Sequence, residues 1–395
     1  MGEAPQLPVH TLPQELQALL FYLHPREQGH RWQEAQSDLE WDRLMELAIH
    51  HRVYPLLQHR FRQQRPASFP PALEQALGRL CSENTFRMMH LTAEMLEVAS
   101  LFERSGIRTL MLKGPVLAQA LYGELSLRTS KDLDLLVPPD QVEAAEALLR
   151  SRGYRLDDDA PRIINDLKWK THHVSYTHIH TGVQIELHWN LNPDTRGEPE
   201  FDELWNRRSE AAFSGRTVYY PGREDLFIYL VAHGARHGWF RLRWLMDFDR
   251  MLQLPLQWDL LYRLLERNEC RRLAGQAAIL CEKLLHTPIP APLRPFMLQR
   301  SSGRLARQAF EIIRDLVRLA PKPSSHDVNK HYRGYVLGTM SLRQKAIFAL
   351  GKLYPSSWDA QLLPLPRKLH FMYFLLRPFL WYWRRRRTGR PNMEG

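Results

Sequence analysis

The sequence predicts an α+β fold, a small mixed β-sheet embedded between helical regions. Three observations carry this. Apolar residues recur at three- and four-residue spacing through the first hundred residues and again after residue 223. Between those stretches the period shortens to two, in DLDLLV at 132–137 and VQIELHW at 183–189. Glycine and proline punctuate the short apolar runs of that middle region. Four regions follow: helices over 1–105, a mixed core over 106–220, a second helical region over 221–320, and an irregular linker with a basic aromatic tail over 321–395.

Residues 11–62 read as mostly helical. Leu44, Leu47, Ala48, Val53, Leu56 and Leu57 form an amphipathic pattern, broken near Pro55, whose ring and missing N–H disfavour a helix interior. Residues 71–105 form a long helix with Met88, Leu91, Met95, Val98 and Phe102 on its apolar face, and Gly106 stands where a helix-ending glycine belongs. That methionine-containing stripe is core packing. Residues 107–112 (IRTLML) have strand length, and 114–122 read as a helix with Pro115 suited to its first turn. A strand over 132–137 is followed by Pro138-Pro139 and a helix over 141–152 that Gly153 ends. Residues 172–178 and 183–189 read as two strands joined at Thr181-Gly182. From Arg223 the pattern is helical to about residue 320, and 321–340 read as polar and irregular.

The composition is that of a globular protein. Of 395 residues, 44% are hydrophobic and 25% charged, which excludes global disorder and low-complexity classes. The formal charge is +11, but residues 367–395 hold eight basic residues and one acid, so +7 of it sits in the tail and +4 on the rest. The three cysteines make no CxxC pair, so neither a zinc ribbon nor a disulfide framework is expected, and a reducing cytoplasm is the simplest compartment. The N-terminus does not read as a secretory signal, Gln6 stands where myristoylation wants Ser or Thr, and no apolar run is long enough to span a bilayer.

The chemistry is concentrated in the middle region. Asp132 and Asp134 are two apart on a strand, so both carboxylates project from one face while Leu133 and Leu135 point into a core. Side-by-side carboxylates repel unless a cation neutralises them, and hard oxygen ligands suit Mg²⁺. On the later strand Gln184, Glu186 and His188 share a face, so Glu186 is a candidate for a third carboxylate beside the pair. Such a set suits a one- or two-metal site for phosphoryl transfer. Lys113-Gly114 lies between a strand and a helix, where a glycine lets backbone approach a phosphate and a helix N-terminus favours an anion. Arg128, Ser130 and Lys131 precede the aspartates and are candidates for the same triphosphate. Taken singly, each of these pieces also reads as a turn or a solvated loop charge. Their order on elements of the right type makes the case.

The histidines are less specific. His172, His173, His178, His180 and His188 cluster around the sheet, but no spacing among them specifies zinc. His188 reads equally as a group orienting phosphate or acceptor and as a polar edge residue. His233 and His237, at i and i+4, read as capping or packing residues, with a substrate-lining role as the sharper alternative. Asp247 reads as the structural partner of a nearby arginine.

The chain resembles the uncharacterised nucleotidyltransferase family of the DNA-polymerase-beta-like superfamily. The resemblance rests on LKGPVLAQALYG at 112–123, RTSKDLDLLV at 128–137, GVQIELHWNL at 182–191 and HGARHGWFRLRWLMDF at 233–248. It implies a small mixed-sheet nucleotidyltransferase core flanked by helical domains, and transfer of a nucleoside monophosphate from an NTP to an acceptor hydroxyl. By resemblance, Gly114 takes the superfamily's phosphate-loop glycine role, Asp132 and Asp134 the metal pair, and Glu186 the third carboxylate. Asp132, Asp134 and Glu186 are thus the expected catalytic and metal residues, Lys113, Gly114, Arg128, Ser130 and Lys131 the expected nucleotide-binding residues, and His188, His233 and His237 the substrate-lining candidates. The expected cofactor is Mg²⁺, with Mn²⁺ as the alternative. The chain departs from the superfamily in three ways: Lys113-Gly114-Pro115 replaces the Gly-Ser pair, the glycine lies eighteen residues before Asp132, and the third carboxylate is Glu186 where many relatives use Asp.

The expected partners are an NTP and an unidentified acceptor, with no strong nucleic-acid motif. The tail, PLPRKLHFMYFLLRPFLWYWRRRR, has two readings. Its aromatics lie at an anionic membrane surface with the arginines outward, giving a cytoplasmic protein peripheral to the membrane. Alternatively they pack back on the body, which is favoured because aromatics of this density are costly to expose. A catalytically weak nucleotide-binding or membrane-associated interaction protein is the alternative function.

Overall fold

The computed structural model describes residues 5–23, 39–157, 171–192, 198–316 and 326–388. Part of the helical reading of 11–62 (residues 24–38), residues 1–4 of the N-terminal reading, residues 321–325 of the linker and the side chains of Arg384 to Arg387 lie outside the described residues.

The chain opens with helices α1 (Gln14–Leu23), α2 (Trp41–His50), α3 (Tyr54–Gln63) and the long α4 (Pro71–Arg104). Pro55 does break the pattern: it sits in the first turn of α3, where its missing N–H leaves no helical bond unmade. The middle region runs β1 (Leu110–Met111), α5 (Pro115–Tyr122), β2 (Asp132–Leu136), α6 (Val142–Ser151), β3 (Tyr154–Leu156), β4 (His173–His178), β5 (Gln184–His188), α7 (Phe201–Asn206), β6 (Ser209–Phe213) and β7 (Arg216–Tyr220). Helices α8 (Arg223–Arg236), α9 (Leu242–Leu252), α10 (Trp258–Arg267), α11 (Arg271–Leu285), α12 (Arg294–Met297) and α13 (Arg300–Arg314) follow. Last come α14 (His326–Thr339), α15 (Leu342–Leu353), α16 (Ser357–Leu362) and α17 (Met372–Thr388). The fold is α+β, as expected.

The main sheet has the order β1-β2-β5-β4-β3, in which only β2 and β5 run parallel. One of its faces is covered by α4 and α6. Leu133, Leu135, Ile185 and Leu187 pack there with Met88, Leu91, Met95 and Leu149. A second core joins the two ends of the chain: Leu16, Leu44 and Leu57 of the first helices share it with Leu245, Ala277 and Phe310 of the later ones. His51 ties them at one point, because its carbonyl accepts from Arg243 N and its Nδ1 accepts from Leu242 N.

Strand β3 and helix α7 are additions to the sequence reading, and three further differences stand beside them. The β6–β7 hairpin was not foreseen, although its two-residue turn, Ser214-Gly215 with both φ positive, is the type that matches strand twist. Residues 326–339 are helical, not irregular. Tyr332 and Tyr335 lie on one side of α14, and their hydroxyls donate to Arg236 O and Ala235 O at the carbonyl end of α8. Among the described residues the apolar side chains that the tail buries form a small cluster of their own, apart from the two main cores. Helix α17 buries Tyr373 and Leu380 against Ala360 of α16, while Phe371, Phe374, Leu375 and Phe379 stay exposed. Short α16 and neighbouring α15 give it cover for one side only.

Candidate active site

Parallel pairing of β2 and β5 puts Asp132 opposite Gln184, Asp134 opposite Glu186 and Leu136 opposite His188. Directly paired residues share a face, so the leucine and isoleucine positions that fill the α4 core force Asp132, Asp134, Glu186 and His188 onto the other side. The antiparallel neighbour β4 adds His173, paired with His188.

The polar groups converge closely. His188 Nε2 lies 3.3 Å from Asp134 Oδ1 and 3.4 Å from Glu186 Oε2. His173 Nε2 is 3.9 Å from Glu186 Oε1, and His172 Nε2 is 3.3 Å from His173 Nδ1. Lys113, between β1 and α5, places Nζ 2.7 Å from Asp134 Oδ1 and 5.9 Å from the centre of the Tyr229 ring.

These contacts set the charge states. Burial alone would raise Asp134, but Lys113 and His188 outweigh it and hold the carboxyl far below its usual range. Asp132 moves the other way, pushed up by burial and by the charge of Asp134. Burial would lower Lys113 and His188, and the carboxylates reverse this in both, Asp134 foremost. His173 is pushed down to about 4 by burial and by His188, and His172 lower still by burial and Arg236.

Two groups of ligand atoms are close enough to hold one ion: those of Asp134, Glu186 and His188, and those of His172, His173 and His188, each within 4.8 Å of one another. Two ligand atoms about 2.1 Å from one ion sit about 3.0–3.4 Å apart, close to the separations around His188. Asp134 Oδ2 is buried with no hydrogen-bond partner. Asp132, Asp134 and Glu186 face Lys113 and a His188 that Asp134 and Glu186 raise, with Arg243 acting on Asp132, and a divalent cation would offset the negative charge that remains. The residues therefore fit a divalent metal.

Gly114 caps α5 at φ 79° and ψ −139°, a conformation L side chains rarely adopt. A Cβ there would lie 3.9 Å from Ser130 Oγ, which itself donates to Asp132 O at 3.1 Å. The structure thus sets a serine beside the glycine from a different loop, where the sequence has no Gly-Ser pair. Lys131 is exposed. Arg128 is held elsewhere: its Nε and Nη2 donate to the two carboxylate oxygens of Asp247, both at 3.0 Å, and Tyr122 donates to the same carboxylate at 2.9 Å. Asp247 is therefore the arginine partner that the sequence suggested.

His233 is buried beside Tyr229, and His237 stacks on Trp244 with ring centres 5.1 Å apart. Both imidazoles are pushed well down by burial, His233 next by Lys113 and His237 next by Arg236. Sequence reasoning missed Arg243, which is buried, donates to Thr129 O on the loop leading to β2, and is lowered to about 9 by burial and by Arg128. It also missed Tyr229 under Lys113, and Arg236, whose Nη1 is 3.5 Å from His172 Nε2. Arg236 and Arg243 lie inside the 233–248 segment, but helical spacing alone does not say which face meets the sheet.

Comparison with known proteins adds the following. No curated protein matches the chain. A solution structure of the antibiotic-resistance factor ANT(2'')-Ia is similar over 47% of this chain and 91% of that one, at 12% identity and a TM-score of 0.33. Residues 37–286, which include every site residue above, match the family described as uncharacterised nucleotidyltransferase. The chain belongs to that nucleotidyltransferase family.

Proposed function

We propose that the enzyme moves a nucleoside monophosphate from an NTP to an acceptor hydroxyl, using a divalent cation held by Asp132, Asp134 and Glu186. The observation that carries this is the register of Asp134 against Glu186 on parallel strands, together with a buried Asp134 Oδ2 that has no hydrogen-bond partner. In the reaction the acceptor oxygen bonds to the α-phosphorus, the bond from that phosphorus to the bridging oxygen breaks, and pyrophosphate leaves with the electron pair. When bound, the cation offsets charge on the phosphates and favours ionisation of the acceptor hydroxyl.

The chain's own groups do the rest. Gly114 gives the phosphates an approach to backbone, and Lys113, Ser130 and Lys131 supply a charge, a hydroxyl and a second charge around it. Glu186, half-buried and next to His188, takes the acceptor proton. Were His188, which lies with Asp134 and Glu186 in one ligand group, to add its nitrogen to the carboxylates, the site would favour Mn²⁺ over Mg²⁺ relative to an all-oxygen site. His233 lines the substrate side behind Lys113, and His237 supports Trp244. Three buried free cysteines agree with a reducing cytoplasm.

A second reading, nucleotide binding without turnover, is favoured by the Lys113–Asp134 ion pair, which already engages one metal-facing oxygen. Calorimetry of Mg²⁺- or Mn²⁺-dependent NTP binding tests the site. Wild type binds and Asp132→Ala/Asp134→Ala does not, whereas metal-independent binding that survives the double substitution overturns the metal-site reading. Release of pyrophosphate in an acceptor screen separates turnover from binding alone.

A further inference from the structure

The last helices turn an apolar side outward. On α15, Leu342, Ala346, Ala349, Leu350 and Leu353 are exposed and recur at helical spacing, so they share one side. On α17, Tyr373, Arg377 and Leu380 face inward. Tyr373 and Leu380 meet Ala360, and Arg377 pairs with buried Asp359. Phe371, just before the helix, and Phe374, Leu375, Phe379 and Tyr382 lie on the opposite side. Leu375 is 73% exposed and Phe379 is 72%. Between Phe371 and Trp383 the only charged residue is Arg377, which is buried. This inverts the usual surface helix, whose apolar stripe faces the core and whose charges face water.

The charge of the segment says what covers that side. Residues 341–395 hold eleven Lys and Arg and two acids, Glu394 and Asp359, the latter already paired. A second copy docked on this face would bring two such basic sets together without compensation. A nucleic acid would balance the charge and leave the aliphatic side chains in water. An anionic bilayer surface does both, taking aromatic and aliphatic side chains at the acyl boundary and basic groups among lipid phosphates. Among the described residues no helix is long and apolar enough to cross a membrane. Helix α17, with 17 residues, is about 25 Å long and its sequence ends in four arginines before Thr388, which suits lying in the interface.

We propose that α15 to α17 form an interfacial anchor that seats the enzyme on an anionic lipid surface, with Leu375 and Phe379 inserted at the acyl boundary. The test is co-sedimentation of the full chain with vesicles of phosphatidylcholine alone or mixed with phosphatidylglycerol, at two salt concentrations. The expected result is binding to the mixed vesicles that weakens with salt and falls roughly tenfold or more in Leu375→Glu/Phe379→Glu. Both side chains are exposed, so circular dichroism of the variant should match wild type. Failure to bind mixed vesicles, or binding that the double substitution leaves intact, overturns the anchor. Sedimentation equilibrium showing a dimer that the same substitutions dissolve assigns the face to a second copy and overturns it equally.

Discussion

Lys113 Nζ stands 2.7 Å from Asp134 Oδ1, and Asp134 is almost wholly withdrawn from water. A buried carboxylate is stable there because the lysine and His188 offset its desolvation. Replacement of Lys113 by Met removes the nearer cation and leaves the acid buried. Unfolding in urea should show a loss of roughly 3 kcal/mol, the scale for breaking one side of a buried pair. NTP affinity should fall at least roughly tenfold as the phosphate-side charge is lost. Wild-type stability of Lys113→Met would show that water or a shifted carboxyl relieves Asp134.

Glu186 tests the proposed proton acceptor. It is half-buried on β5 and pairs with no lysine or arginine among the described residues, so Glu186→Gln should fold as wild type does. Pyrophosphate release should drop by roughly 10²–10³-fold. Metal binding read by Mn²⁺ electron paramagnetic resonance should weaken as well. A variant with full turnover would remove Glu186 from the reaction.

The Arg128–Asp247 pair makes a prediction about stability. Asp247→Asn leaves a buried guanidinium without its counter-charge and should cost roughly 3–5 kcal/mol. The paired change Arg128→Met/Asp247→Leu should recover most of that loss, as apolar replacements of buried pairs commonly do. Denaturant midpoints of the three variants decide it. If the paired variant also loses NTP binding while keeping its fold, Arg128 does contact nucleotide.

His51 predicts how stability responds to acid. It is fully buried where α2 meets α9, and burial with neighbouring His50 lowers it to about 3. The folded value lies below the unfolded one, so the unfolded chain binds the proton first as pH falls. The contribution is present above about pH 6.5 and is lost progressively from there toward pH 3. Between pH 7 and 5 that amounts to about 2 kcal/mol. His51→Gln should give a flatter pH profile of the urea midpoint over that range, and an unchanged slope would assign the acid sensitivity to other groups.

The carboxylate set was legible because strand alternation is a local rule. Leu133 and Leu135 fix which way Asp132 and Asp134 face, and Ile185 and Leu187 do the same for Glu186. Their meeting was not local: the sequence offered Glu186 as a candidate from the order of elements, and the resemblance assigned it the third-carboxylate role. The ion pair of Arg128 was hidden for the opposite reason. The place of Arg128 before the aspartates suggests a phosphate, while its partner Asp247 arrives from a distant helix. His172 and His173 are adjacent, and alternation allows only one of two neighbours to reach a site, yet His172 lies just before β4 and escapes that rule. The tail was legible only in part, for energetic reasons: Tyr373 and Leu380 are buried while Leu375 and Phe379 are exposed. A high cost of exposure argues for burial only where a surface exists to cover the side chains, and sequence does not show that surface.

The parallel pairing of β2 with β5 has a consequence for how the protein is made. A chain synthesised from its N-terminus completes both aspartates about fifty residues before Glu186, and loop closure must precede any contact between them. Until β5 docks, no third acid crowds Asp134, and the mutual repulsion of the site is deferred to the moment the sheet closes. A cation present at that moment should act as a folding partner as well as a reactant's companion. Nascent chains that stall before β5 would carry the acidic motif and none of its chemistry.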